Sequence, residues 1–371
     1  MRAAPERRTH KCEKDVFSVD GMRDEIPTEK LQMKIIVDVC GGDFPEEVVK
    51  GAILSLAEGE GFTIVLAGDP EKIGKVLEGM AYDKARVEIL TATEEITCND
   101  EPTVAVRKKT ESSLVKALDV LRTDEEAAGL ISAGSTGAVL AGGFMKIGRL
   151  KGVSRPALAP ILPTLTGGKV VLCDSGANAD CKPVNLCHFA VMAAAYCRAA
   201  LKVEKPRVAL LCNGTEDEKG NFLTKEAFPL IAEIPGIDFK GNMEARDLLS
   251  GNYDVVVADG FAGNVALKGT EGGVSAVMTL LKAGIKKSFR AKLGALLLKP
   301  VFYDLKKRMD VNGQGGAPLL GLKKPVLKVH GSAKAKAVTG AVLQVKALRD
   351  YGMNDRIAED LARLAPAEEE A

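Results

Sequence analysis

A doubly wound α/β fold with a mostly parallel sheet is what this sequence predicts, on three observations. Its β-branched runs are apolar at consecutive positions, as in strands buried on both faces. Most of the runs close on Gly, and a segment of helical length follows. The chain is also long enough, at 371 residues, to cover both faces of such a sheet with helices.

Residues 1–32 carry seven basic and seven acidic side chains without sustained periodicity, which reads as a disordered or loosely docked tail. Met33 opens the fold proper, leading into the strand "KIIVDV" (34–39) and a Gly turn. Strands follow at "FTIVLAG" (62–68), "RVEIL" (86–90) and "AGLISAG" (128–134), each rich in Val, Ile or Leu. Four more are expected at "KVVLCDSG" (169–176), "RVALLCNG" (207–214), "DVVVADG" (254–260) and "VLKVHG" (326–331). One α/β domain thus spans 33–351, and 352–371 holds a C-terminal helix and a frayed acidic end.

Bulk properties exclude several functions. With 51 basic and 50 acidic residues, no global field attracts nucleic acid, and no nucleic-acid partner is expected. Trp is absent and aromatics make up 4%, so stacking platforms for single strands are missing. The eight Cys form no C-x-x-C and several lie in apolar runs, as reduced thiols of a cytosolic protein do. Cys181, Cys187, His188 and Cys197 fit no common zinc spacing; no metal and no cofactor are expected. Neither G-x-G-x-x-G nor G-x-x-x-x-G-K-[ST] occurs. The G-x-S-x-G elbow is missing too, and with three His in the chain no Ser-His-Asp triad is expected.

The chemistry-bearing residues fall where strands stop, the rim at which ligands of such folds collect. "SAGSTGAVLAGG" offers Gly134 and Gly137 for close backbone approach, with Ser135 or Thr136 to cap the next helix. Such a helix start suits an anion, above all phosphate, or equally a tight turn for helix–sheet packing. Arg155, Lys182 and Lys268 could complete a phosphate pocket; Lys268 stands one turn beyond Asn264 on one helix face. Asn178 and Lys182 lie in "CDSGANADCKP", and His330 in "VHGSAKAKA". Asp38, Asp174 and Asp259 each end an apolar strand, a place from which they could coordinate a metal, orient a Lys or cap the following helix.

Together "VDVCGGDFP", "SAGSTGAVLAGG", "RPALAPILPT", "VVLCDSGANADCKP", "NGTEDEKGN", "GNMEARDLLSG", "VVVADGFAGNVALK", "GGAPLLGL" and "HGSAKAKA" resemble the bacterial phosphate acyltransferases, in order from about Met33 to Tyr351. The resemblance implies a three-layer αβα fold similar to phosphotransacetylases and isocitrate dehydrogenases. It implies a cytosolic, membrane-peripheral homodimer that moves a long-chain acyl group from acyl carrier protein to inorganic phosphate. The acyl phosphate would feed a membrane glycerol-phosphate acyltransferase in phospholipid synthesis. Ser135 stands where the family usually has Asn, Cys40 for Met, His188 for Gln and Ala333 for Ser, which puts pocket details in doubt. On this reading Lys182, Asn264, Lys268 and His330 position substrates and stabilise charge, Asp174 and Asp259 orient the cations, and Gly134, Ser135, Thr136, Gly137, Arg155 and Asn178 surround phosphate. Two rival readings are a short-chain acyl-CoA phosphotransacylase and a non-catalytic acyl or carrier-protein binding regulator.

Between Lys282 and Arg308 nine basic residues face one acid, Asp304, around "LGALLLKPVFY". The pattern predicts a projecting amphipathic helical hairpin over 282–308, broken near Pro300. Lys286, Lys287 and Arg290 with Leu296, Leu297 and Leu298 at its tip would meet an anionic membrane or a carrier protein; a dimer interface is the other use.

Overall fold

All eight expected strands form, and they are shared between two sheets rather than gathered in one. The computed structural model describes residues 33–308 and 315–364; the tail 1–32 and the acidic end from 365 lie outside the described residues. In the first sheet β1 (Met33–Asp38), β2 (Phe62–Gly68), β3 (Val87–Thr91), β4 (Ala127–Ser132) and β12 (Val326–Lys328) run parallel. The sheet's order is β3-β2-β1-β4-β12, continued by β11 (Ala317–Leu320), antiparallel to its neighbours, and β5 (Ala157–Leu158). The second sheet sets β7 (Lys169–Cys173), β10 (Val255–Val257), β8 (Arg207–Cys212) and β9 (Asp238–Glu244) parallel, with β6 (Ile161–Pro163) antiparallel at one edge.

Side-chain alternation explains the layers. Ile35 and Val37 point toward α1 (Pro45–Glu58) and α11 (Ala335–Asp350), whereas Ile36 packs with α4 (Ser113–Thr123) on the other face. In the second sheet Val171, Cys173, Val255 and Val257 join the same core as α1 and α11, and Val170, Leu172 and Val256 pack with Leu267. One core therefore runs through both sheets. Its centre is α6 (Pro183–Leu201), a helix apolar enough to cross a membrane but 72% buried inside the protein, which makes it a core helix.

The "RPALAPILPT" stretch is the seam between the sheets. Ala157 and Leu158 pair with β11, and three residues on Ile161 pairs with Val171 in the other sheet. Its proline-rich, apolar character follows from that position. Residues 157–159 and 161–163 are buried, and each proline lacks an N–H that would need a partner.

Helix α8 (Gly260–Lys286) leaves the second sheet and is exposed along most of its length after Leu267. A break at Lys287–Ser288 precedes α9 (Phe289–Leu297), and Leu298 separates that from α10 (Lys299–Arg308). The predicted break at Pro300 is present, since Pro300 sits in the first turn of α10 where a missing N–H costs least. The arm is longer than predicted, because the exposed part begins near Lys268 rather than Lys282.

Candidate active site between two strand rims

Register sets the first rim. Across β1, β4 and β12, Asp38 lies opposite Ser132 and Ser132 opposite Lys328, so three polar residues end three adjacent strands side by side. Asp38 is buried and accepts hydrogen bonds from Ser113 Oγ and Ser132 Oγ, each at 2.6 Å. Burial pushes its carboxyl up to about 6, partly offset by those hydroxyls. Ser132 Oγ in turn accepts Gly134 N–H at 3.1 Å, anchoring the start of the bare loop. Gly41 (φ +94°) lies against Gly134, where a Cβ would come 3.0 Å from Gly134 Cα; the two loops touch because neither carries a side chain there.

Lys328 was not among the residues singled out from sequence. Its Nζ donates to Ala133 O at 3.3 Å and to Val329 O. Burial, with a smaller contribution from the Lys268 charge on the other rim, lowers its ammonium to about 8, while Cys98, Asp38 and Asp43 act against. Its signal was its place in "VLKVHG", two residues before His330. His330 itself is exposed, with Nδ1 2.8 Å from Ser332 Oγ and receiving Ser332 N–H at 3.2 Å.

The second rim is organised by Asp174, which is 0% exposed. Its Oδ1 accepts N–H groups of Leu158, Gly176 and Ala177 at 3.0, 3.2 and 3.1 Å. Oδ2 takes Asn178 N at 2.7 Å and Asn178 Nδ2 at 2.9 Å. Here the expectation of an acid orienting a cation is corrected: these partners are all N–H donors of loop and seam. A carboxylate at the head of a strand saturates the donors of a turning chain more cheaply than water can once the turn is buried. Asn178 is similarly spent on structure, giving its Nδ2 also to Pro156 O at 2.7 Å. Asp259 caps α8, accepting Ala262 N–H at 2.8 Å, so for it too the capping role is the one seen.

The cations stand outward. Lys182 is exposed at the N-cap position of α6, its N–H bound to Asn185 Oδ1 at 2.7 Å. Asn264 is exposed on α8 over the Gly176 turn, and Lys268 is exposed in an ion pair with Glu271 at 2.7 Å. Arg155 is exposed beside Asn178. On the first rim Ser135 occupies the N-cap of α5 (Thr136–Gly142), yet its hydroxyl takes no helix N–H, and Thr136 is exposed. Gly137 is required by Pro102, which a Cβ would meet at 2.7 Å. Directly after α5, Gly143–Ile147 is a π turn that leaves Phe144 and Met145 exposed.

Ser154, His188 and Asn185 do gather, without an acid. Ser154 Oγ lies 3.0 Å from His188 Nδ1 and receives Asn185 Nδ2 at 2.7 Å. Burial lowers the His188 imidazole below its ordinary pKa. Asn185 bonds to the Ser and not to the imidazole, so the group ties the first turns of α6 to the Arg155 segment. Among the described residues no three His, Cys, Asp or Glu side chains gather as a metal site. The exposed Leu296, Leu297 and Leu298 (64, 76 and 50%) and exposed Lys286, Lys287 and Arg290 lie on the arm.

Two rims of helix starts and cations over an αβα core define an α/β protein of the phosphotransacetylase fold. A phosphotransacetylase from Streptococcus pyogenes superposes with a TM-score of 0.56 at 18% identity, covering 87% of this chain and 96% of that one. Another, from Staphylococcus aureus, gives 0.55 at 17%, covering 86% and 94%. The family model described as "Fatty acid synthesis protein" matches residues 33–356. Phosphate acyltransferases from Clostridium novyi and Thermoanaerobacterium thermosaccharolyticum are 46% and 43% identical over 326 and 330 residues, covering 88% and 89% of this chain and 97% of each relative. The chain belongs to the phosphate acyltransferase family, whose members are acyltransferase enzymes.

Proposed function

We propose that this enzyme transfers a long-chain fatty acyl group from acyl carrier protein to inorganic phosphate, giving acyl phosphate for phospholipid synthesis. One observation carries the reading: the rims offer cations and backbone N–H groups, with no Ser-His-acid set among the described residues. Phosphate dianion is itself a nucleophile, and a thiol of ordinary pKa near ~8.5 leaves readily. The protein's work is then to align phosphate on the thioester carbonyl and to stabilise the oxyanion. The phosphate oxygen forms the new C–O bond, the C–S bond breaks, and the thiolate departs. Lys182, Asn264, Lys268 and His330 serve positioning and charge stabilisation, joined by Lys328. Gly134, Ser135, Thr136, Gly137 and Arg155 are the phosphate surroundings, with Asn178 in support. Asp174 and Asp259 act on the reaction by shaping the loop and helix start that carry Asn264 and Lys182.

The arm supports peripheral contact with an anionic membrane, close to a membrane acyltransferase that consumes the lipophilic product. A cytoplasmic homodimer belongs to the same proposal. Palmitoyl-acyl carrier protein incubated with and without phosphate, trapping acyl phosphate as hydroxamate, tests it. Phosphate-dependent hydroxamate that falls at least about a hundredfold in Lys182→Ala is expected. Turnover of acetyl-CoA alone would point to a short-chain enzyme, and acyl binding without turnover to a regulator.

A further inference from the structure

We propose that the cavity beneath Phe144 holds the acyl chain of the donor and that Phe144 sets how long a chain is accepted; this rests on the proposed transacylase reading. The cavity has a volume of ≈ 460 Å³, within the range of small-molecule sites. Leu140, Ala141, Phe144 and Leu319 form apolar parts of its wall, and Arg149 and Arg155 also line it. Apolar walls with two guanidinium groups suit an amphiphile: an alkyl chain ending in an anionic head. An acyl chain joined to an attacking phosphate has that form.

Two further features support this occupant. The cavity is continuous with the second rim through Ala177 and Asn178, so a chain seated there brings its carbonyl end to the rim. Phe144, 49% exposed, is presented by the π turn Gly143–Ile147, a local distortion that proteins use where a side chain must be aimed. Arg149 braces it, its guanidinium 5.4 Å from the ring centroid while donating to Ser154 O. The half-exposed ring is thus fixed as a wall.

The chain contains no Trp, so Phe144→Trp introduces a sole indole at this wall. Submicellar dodecyl phosphate is expected to blue-shift its emission, and inorganic phosphate to leave it unmoved. With butyryl and palmitoyl groups on the same carrier, kcat/KM for palmitoyl should fall about tenfold relative to butyryl, with KM for phosphate unchanged. Ala141→Leu, which narrows the cavity from α5, should discriminate in the same sense. Emission indifferent to dodecyl phosphate, or both chain lengths changing by one factor in both variants, would overturn the assignment while leaving acyl phosphate formation intact. If the wild-type enzyme made no acyl phosphate from either donor, the functional reading would fail first and take this inference with it.

Discussion

Asp174 and Leu297 belong to one continuous surface problem solved in opposite ways. Asp174 is fully buried and gathers five hydrogen bonds within 3.2 Å. Leu297, on the arm that grows from the neighbouring helix, is 76% exposed. At the rims polar groups are buried and satisfied; on the arm apolar groups are left in water. Helix α8 contains both regimes. Its first turns are wedged against the Asp174 loop, where a Cβ on Gly260 would lie 2.6 Å from Asn178 O and one on Gly263 1.9 Å from Asp174 O. Gly269, Gly272 and Gly273, further along, face open space. The difference teaches that this helix is fixed at its base and free at its end, as an element linking a rigid site to something outside would be.

Breaking the base should have the largest effect. Asp174→Ala orphans donors of three loop N–H groups, the seam and Asn178, and should cost about 3–5 kcal/mol, read as a lowered urea midpoint with loss of activity. Gly263→Ala should behave alike, because the backbone it strikes cannot step aside. Gly273→Ala is the counterpart on the same helix: stability unchanged or raised by up to ~1 kcal/mol from helix propensity. Equal urea midpoints for the two glycine variants would dissolve the contrast.

At the free end the effect moves from stability to partition. Leu296→Glu with Leu297→Glu removes two exposed apolar side chains and adds two acids beside Lys286, Lys287 and Arg290. Binding to vesicles of mixed zwitterionic and anionic lipid should weaken more than about tenfold, since each buried leucine is worth about 1.5–3 kcal/mol. The melting temperature should stay within ~2 °C. Unchanged vesicle binding would reassign these leucines to another contact, and a large melting shift would show that they pack within the chain.

The strands were legible because each is a short unbroken aliphatic run, and the layers followed from their length. The sequence points to one sheet where there are two, because the seam strands β5 and β6 are two and three residues long and flanked by proline, which leaves no periodicity to detect. The rim loops were legible as Gly, Asp and Asn clusters at strand ends. What each acid does there was not: Asp174 and Asp259 have the same sequence setting, and only the folded loop separates a five-donor clamp from a helix cap. Lys328 went unnoticed because one Lys in a strand reads as a solvated residue, and its desolvation depends on β4 lying alongside. Phe144 was hidden by the helical pattern that runs through the π turn.

The last effect expected is one of pH, and it compares the two buried carboxylates. Asp38 differs from Asp174 in its partners, two Ser hydroxyls in place of a run of loop N–H groups. Burial raises its carboxyl from 3.8 to about 6. Between these values the folded chain keeps a proton that the unfolded chain has lost. This contribution is therefore fully present below about pH 4 and declines as pH rises through about 6. Asp38→Asn removes the titration while its amide can still accept one hydroxyl hydrogen and donate to the other oxygen. Urea midpoints of both proteins at several values between about pH 4 and 7 give the difference directly, with Asp174 and the surface acids common to both. Wild type should lose ground to the variant by about 3 kcal/mol across that window. A difference that stays flat would mean the Ser113 and Ser132 hydroxyls hold Asp38 ionised throughout.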